Sequence, residues 1–232
     1  MTVLEAVDLT KTFVGGDGGL LTVLDSVSLQ VEQGEMVAIV GASGAGKSTL
    51  LHLLGALDRP TRGRVLIGGL VLDGLDDDAL ASLRNRSVGF VFQFHHLLRE
   101  FSALENVMIP LRLAGRSIPK AEQRARQLLD RVGLGGRMTH RPAALSGGEQ
   151  QRTAVARALA VDPAIVLADE PSGNLDHANA ERLHDLFEEL SRDFEVAMVI
   201  VTHNRSLASR ADRVLLLEDG KLSETNVREA VP

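Results

Sequence analysis

Between Ser26 and Val31 the chain alternates: Val27, Leu29 and Val31 interleave with Ser26, Ser28 and Gln30. A period of two puts the apolar side chains on one face, which predicts a half-buried antiparallel strand. A first such segment lies around Val3 to Val14, and the turn Gly15-Gly16-Asp17-Gly18-Gly19 separates the two. Further on the pattern changes. Val37–Val40, Val88–Phe92, Ile165–Ala168 and Val196–Val201 are continuous apolar runs, as expected of parallel strands buried on both faces. Helices are expected between them, over Lys47–Ala56, Ala121–Val132, Gly147–Ala160 and Asn179–Arg192. The expected fold is therefore α/β with an antiparallel N-terminal β part. Its core would be built from 1–93 and 161–232, with a mostly helical insertion over about 94–160. No repeat, low-complexity tract or linker interrupts it.

Each apolar run ends in polar residues: Gly41 and the loop to Lys47, then Gln93, then Asp169-Glu170, then Thr202-His203. In a parallel sheet these ends share one edge, and ligands bind at that edge. Four segments far apart in sequence are thus expected to converge on one site.

The first of these ends is the most specific. Gly41-Ala42-Ser43-Gly44-Ala45-Gly46-Lys47-Ser48 fits G-x-x-x-x-G-K-[ST], with an apolar strand before it and a helical pattern after it. Glycines let backbone N–H groups close around phosphate oxygens, and the helix N-terminus adds positive potential. Lys47 would meet the β- and γ-phosphates, and the Ser48 hydroxyl would bind magnesium. A chance glycine-rich turn is the bland alternative, and the strand–helix context argues against it. Asp169 and Glu170 then gain meaning: one carboxylate to hold the metal, the other to orient and deprotonate the attacking water. Alone they would be two solvated acids at a strand end. Gln93 and His203 are unremarkable singly. At the shared edge, Gln93 can offer its amide oxygen to magnesium or water, and His203 can hydrogen-bond a γ-phosphate oxygen.

Composition narrows the classes. The 232 residues are 44% hydrophobic, enough for a sizeable core, and the net charge of -6 argues against a general nucleic-acid binder. The chain has no cysteine, which excludes disulfides and thiol catalysis. Met1 to Glu5 show no secretory start and no apolar run is long enough to cross a bilayer, so work at a membrane would need a partner.

Leu145-Ser146-Gly147-Gly148-Glu149-Gln150-Gln151-Arg152 opens another helical run. By itself it reads as an ordinary N-cap with flexible glycines. With the motifs above it resembles the LSGGQ signature of ABC transporter ATPases, with Glu149 where glutamine is usual. The phosphate loop, Gln93, the signature, Asp169-Glu170, the loop Gly173-Asn174-Leu175-Asp176 and His203 stand in the order of that family, and the resemblance covers almost the whole chain.

The resemblance implies a P-loop NTPase domain that binds ATP and Mg2+ and hydrolyses ATP. Lys47, Gln93, Glu170 and His203 would be catalytic, and Ser48, Gln93 and Asp169 would hold the metal. Nucleotide contacts would come from Gly41 to Thr49, from Phe13 stacking on adenine, and from Ser146, Gly147, Gly148, Glu149 and Asp176 of a second copy in a sandwich homodimer. For Phe13 a strand-end core position is the equal alternative.

Leu53–Asp58 and the Gly-Asn-Leu-Asp loop are similar to the branch containing lipoprotein-release, macrolide-export and FtsE-type ATPases. Gln93–Leu98, Ala103–Val107 and His140-Arg141-Pro142 are most similar to the lipoprotein-releasing ATPases. That implies a peripheral subunit at the cytoplasmic face of the bacterial inner membrane, with integral membrane partners of the LolC/LolE type. The stretch Phe94–Phe101 would dock them. The bland alternative puts Phe94, Leu97 and Leu98 in the core and leaves the histidines solvated. Other branch members, soluble ABC ATPases and a non-hydrolysing module are the rival readings.

Overall fold

The structure is a computed structural model that describes residues 1–16 and 18–226. β1 (Thr2–Val14) and β2 (Leu20–Glu32) pair antiparallel, with Val27, Leu29 and Val31 buried and Ser28 and Gln30 exposed. The Gly15 N–H donates to the Gly19 carbonyl across the expected turn, of which Asp17 lies outside the described residues. β4 (Arg62–Ile67) and β5 (Leu70–Val71), which the hydropathy pattern did not single out, extend this sheet in the order β2-β1-β4-β5.

The second sheet has six strands, β10-β9-β3-β8-β7-β6. The four apolar runs form β3 (Met36–Val40), β6 (Val88–Phe92), β7 (Ile165–Asp169) and β8 (Ala197–Val201), all parallel. β9 (Arg213–Glu218) adds a further parallel strand beside β3, and β10 (Lys221–Glu224) closes that edge antiparallel.

Alternate residues of the parallel strands build two cores. Val37, Ile39, Leu167, Val199 and Val201 pack with β1, β2, α1 (Lys47–Leu54) and α2 (Asp77–Ser87). Val91, Val166, Ala168, Met198 and Ile200 pack with α3 (Ala103–Leu113), α4 (Ile118–Arg131), α5 (Gly147–Ala158) and α6 (His177–Phe194).

α1 is too short to persist alone. Leu50, Leu51, Leu53 and Leu54 are all buried, each contributing roughly 1.5–3 kcal/mol. It stops at Leu54, earlier than the expected Ala56, because Gly55 caps it and Ala56 turns to φ 56°. α4 begins at Ile118, sooner than expected, with Pro119 in its first turn where its missing N–H is tolerated. α6 begins at His177 because the Asp176 carboxylate accepts the Asn179 N–H. α7 (Arg205–Ala208) is a single turn after β8, capped by Asn204.

Phe94 to Ser102 lie outside regular structure and are held from below. The fully buried Asn106 of α3 accepts from the Leu98 N–H (2.8 Å) and donates to the carbonyls of Leu98, Phe101 and Ser102. Arg157 of α5 donates to the carbonyls of His95 and His96. Replacing Asn106 with leucine keeps the volume and strands the Leu98 and Phe101 backbone groups. The expected loss is about 2–4 kcal/mol in urea unfolding. A loss below about 0.5 kcal/mol would mean that water takes over these bonds and that Asn106 does not fix the loop.

Candidate functional site

The site follows from strand register. Phe92 pairs with Asp169, Asp169 with Val201, and Val201 with Ile39. Gln93, Glu170, Thr202 and Val40 are the next residues on their strands, so all four run ends lie on one row. At ~4.8 Å between neighbouring strands the row spans roughly 15 Å. Two backbone bonds carry the row past the last ladder pairs: Glu170 N–H to the Val201 carbonyl (2.9 Å) and Thr202 N–H to the Ile39 carbonyl (3.1 Å).

At one end of the row the chain turns from β3 into α1. A Cβ on Gly41 would overlap the Leu217 carbonyl, so glycine is required there. Gly46 caps α1 at φ 97° with no side-chain bond, and its missing Cβ leaves room for Val23. The N–H groups of Lys47, Ser48 and Thr49 in the first turn have no intrahelical acceptor by construction. The Lys47 Nζ donates to the carbonyls of Gly41 and Ala42, both at 2.8 Å. Ala42, Ser43, Gly44 and Ser48 are exposed, and Ala42–Ala45 border a cleft of about 590 Å3 with Leu21, Val23 and the turn Leu216–Gly220.

In the middle of the row Glu170 has φ 45°, a sparsely populated conformation for a residue with a side chain. The Gly173 N–H closes the turn by donating to the Glu170 carbonyl (3.0 Å). Glu170 Oε1 lies 2.7 Å from His203 Nδ1, and its Oε2 accepts the His203 backbone N–H at 3.3 Å. With Nδ1–H turned to Glu170, His203 Nε2 is an acceptor in the neutral ring and donates to phosphate only as imidazolium. The expected γ-phosphate bond from His203 thus acquires a condition invisible in the sequence.

Gln93 is also engaged. Its Nε2 donates to Asn174 Oδ1 (3.0 Å) and its carbonyl accepts from Asn174 Nδ2 (3.1 Å), which ties the end of β6 to the loop after Glu170. The oxygen is the end of the amide suited to a cation. Ser48, Gln93 and Asp169 could offer oxygen donors alone, the chemistry a hard cation such as magnesium requires. Sequence reasoning missed Asn174 as the partner of Gln93. It also missed Ser172 and His184: the fully buried ring of His184 in α6 places Nε2 3.0 Å from Ser172 Oγ, below the same loop. A histidine twelve positions after a serine carries no periodic signal.

Ser146 caps α5, and with Glu149 it forms a capping box. Gly148 packs against Asn179, where a Cβ would meet Oδ1 at 2.8 Å, so the signature turn and the Asp176-capped start of α6 abut. Ser146–Glu149 belong to the helical side of the sheet. Among the described residues no hydrogen bond or ion pair joins them to the Lys47 loop of the same chain.

Phe13 is 41% exposed, with Lys11 Nζ 5.1 Å from its ring centroid, so it does not occupy the core position that was its alternative. The Phe94–Phe101 stretch divides. Leu97 is buried, as the bland alternative held, but Phe94 (64%), Leu98 (45%) and Phe101 (42%) are exposed. A groove of about 520 Å3 runs beside Phe94, His95, His96 and Pro142. Burial, then the neighbours His96 and Arg157, hold His95 below the usual histidine range.

Among the described residues no helix is long and apolar enough to cross a membrane. The family model described as ABC transporter matches residues 24–173. A protein of Geobacter metallireducens named lipoprotein-releasing system ATP-binding protein LolD is 54% identical over 95% of this chain and 98% of its own length. Its namesake in Pseudomonas syringae is 53% identical over 96% and 97%. The dimeric structure of the bacterial ABC transporter cassette MJ0796 superposes with a TM-score of 0.88 at 39% identity, covering 97% of this chain and 99% of that one. The same cassette in a post-hydrolysis dimer bound to ADP and Pi gives 0.88 at 38%, again covering 97% and 99%. The resemblance carried by the ordered motifs is borne out, and the chain belongs to the ABC transporter family, as one of its ATP-hydrolysing cassettes.

Proposed function

We propose that this chain powers the release of lipoproteins from the bacterial inner membrane towards the outer membrane. It would act as a homodimer on the cytoplasmic face, docked to integral membrane subunits of the LolC/LolE type. The choice of cargo leans on the named relatives. The observation that carries the chemistry is the Glu170–His203 pair at the row of strand ends, level with the phosphate loop.

In this reading the phosphates of ATP lie on the N–H groups of Lys47, Ser48 and Thr49, with the Lys47 ammonium beside the β- and γ-phosphates. Ser48, Gln93 and Asp169 would hold magnesium, which when bound neutralises phosphate charge. Glu170 orients the attacking water and takes its proton, and His203 fixes the carboxylate that does so. Phe13 offers an exposed ring face for adenine. One chain presents one phosphate loop and one signature turn on opposite sides of its sheet, so two complete sites need two copies in head-to-tail symmetry. Ser146, Gly147, Gly148, Glu149 and Asp176 of one copy then cover the γ-phosphate on the other. Residues 94–160 would respond to Gln93, and the exposed Phe94, Leu98 and Phe101 would receive the membrane subunits.

Lys47→Ala is expected to reduce ATP turnover at least ~100-fold through lost charge at the phosphates, with a cooperative melting curve retained. Near-normal turnover in the folded variant would remove the phosphate assignment.

Glu170→Gln keeps the side-chain shape and cannot accept the proton. With magnesium and ATP it should scatter light as a dimer that disperses once nucleotide is removed. A monomer at high protein concentration would count against the sandwich.

Phe94→Ala combined with Leu98→Glu should leave ATP affinity within about twofold and lower recovery of the membrane subunits by about tenfold or more. Unchanged recovery rejects docking at this loop. If the native chain instead recovered a macrolide-export or cell-division membrane subunit, the lipoprotein reading would fall and the ATPase reading would stand.

A further inference from the structure

The signature turn carries a full negative charge where its proposed task is to receive another. Glu149 stands at the third position of α5, inside the turn whose N–H groups make up the positive end of the helix dipole, about half an elementary charge. Both of its oxygens are occupied. Oε2 accepts the Ser146 backbone N–H at 2.8 Å, and Oε1 accepts from Arg137 Nε at 3.0 Å. Arg137 ends the one-turn 3-10 helix Gly135–Arg137, and its Nη1 is 3.3 Å from His140 Nε2. The Glu149 side chain is only 18% exposed, so its charge is poorly screened by water. The carboxyl is held below the usual carboxylate range, first by the Ser146 backbone N–H, with burial opposing and the Ser146 hydroxyl and Arg137 adding to it. It is therefore ionised near neutral pH.

We propose that Arg137 is a positioning residue for ATP: it cancels the Glu149 charge, so that the Ser146–Gly148 turn can close on the γ-phosphate held by the other copy. This rests on the sandwich reading above. A phosphate approaching Ser146 meets the field of the helix N-terminus, the Glu149 carboxylate and the Arg137 guanidinium together. Without Arg137 the carboxylate opposes the helix end. With it, the sum is again attractive, and Glu149 keeps the turn in shape through its bond to Ser146. A neutral glutamine in place of Glu149, the residue usual in this signature, has no charge for an arginine to cancel.

The test is a double-mutant cycle in the Glu170→Gln background, reading the ATP concentration that half-saturates dimer formation with magnesium present. Arg137→Gln, which keeps a polar side chain without charge, should raise that concentration about tenfold, and more at low salt. When Glu149→Gln is also present, the same change should have less than a twofold effect, and with Glu149 intact Arg137→Lys should recover most of the loss. The inference is overturned if Arg137→Gln has no effect. It is also overturned if Arg137→Gln weakens dimerisation equally with and without Glu149→Gln while melting curves stay native; that result would make Arg137 a mere tether for the 3-10 turn. Should Arg137→Gln fail to fold, the comparison of Arg137→Lys in the two backgrounds decides, since a tether lost with the guanidinium fork stays lost when the charge is kept. A Glu170→Gln parent that never dimerises sinks the sandwich itself. A parent that dimerises while the arginine variants match it sinks only the role of Arg137.

Discussion

Asp169 is in register with Phe92 on one side and with Val201 on the other, and Val201 in turn is in register with Ile39. This parallel register is the constraint on which the chemistry depends. A slip of one residue in any strand would turn its core-facing side chains to the opposite face and shift its terminal polar residue by about 3.3 Å. The register is held by burial. Val40, Val91, Ala168 and Ile200 are essentially inaccessible and sit one or two residues before the polar ends. Apolar residues that take no part in the chemistry thus fix where Gln93, Glu170 and His203 stand.

The two faces of the sheet divide the work. α1 and the phosphate loop rest on the face shared with the antiparallel sheet, and α5 with its Ser146 cap rests on the other. The connection between them runs through loops at the strand ends. Asn174 binds both the side chain and the carbonyl of Gln93, and the Glu170 carboxylate takes two bonds from His203. Gln93 is therefore joined to the loop that follows Glu170 by a direct path outside the sheet.

Much of this was legible in the sequence, because the periodicity of Val27–Val31 and the four apolar runs reflect burial directly. β6 was located to the residue, since both ends of Val88–Phe92 meet polar neighbours. β9 escaped notice because its apolar run Val214–Leu217 leads to no candidate polar site. β4 and β5 are short, and Arg62, Gly63 and Arg64 hide the strand they begin. α3 carries Pro110 in its interior, which argues locally against a helix that packing nonetheless maintains. The candidate catalytic residues could be read as a set because each follows an apolar run that predicts a strand of one parallel sheet. Their partners could not: Asn174 to Gln93, His184 to Ser172 and Arg137 to Glu149 are matched only by the fold. The split between buried Leu97 and its exposed neighbours Phe94 and Leu98 likewise depends on Asn106 and Arg157, which pull the backbone down from below.

Lys47 has three N–H bonds to give, and two go to the carbonyls of its own loop. The side chain is thus a brace for the loop as well as a charge. Two of the ammonium's water partners are replaced when the protein folds, so a phosphate arriving there would not have to strip them away at the moment of binding. In the proposed reading, the nucleotide would meet a cation already oriented by two fixed dipoles. Exchange of one nucleotide for another would then be a trade of acceptors at the third N–H.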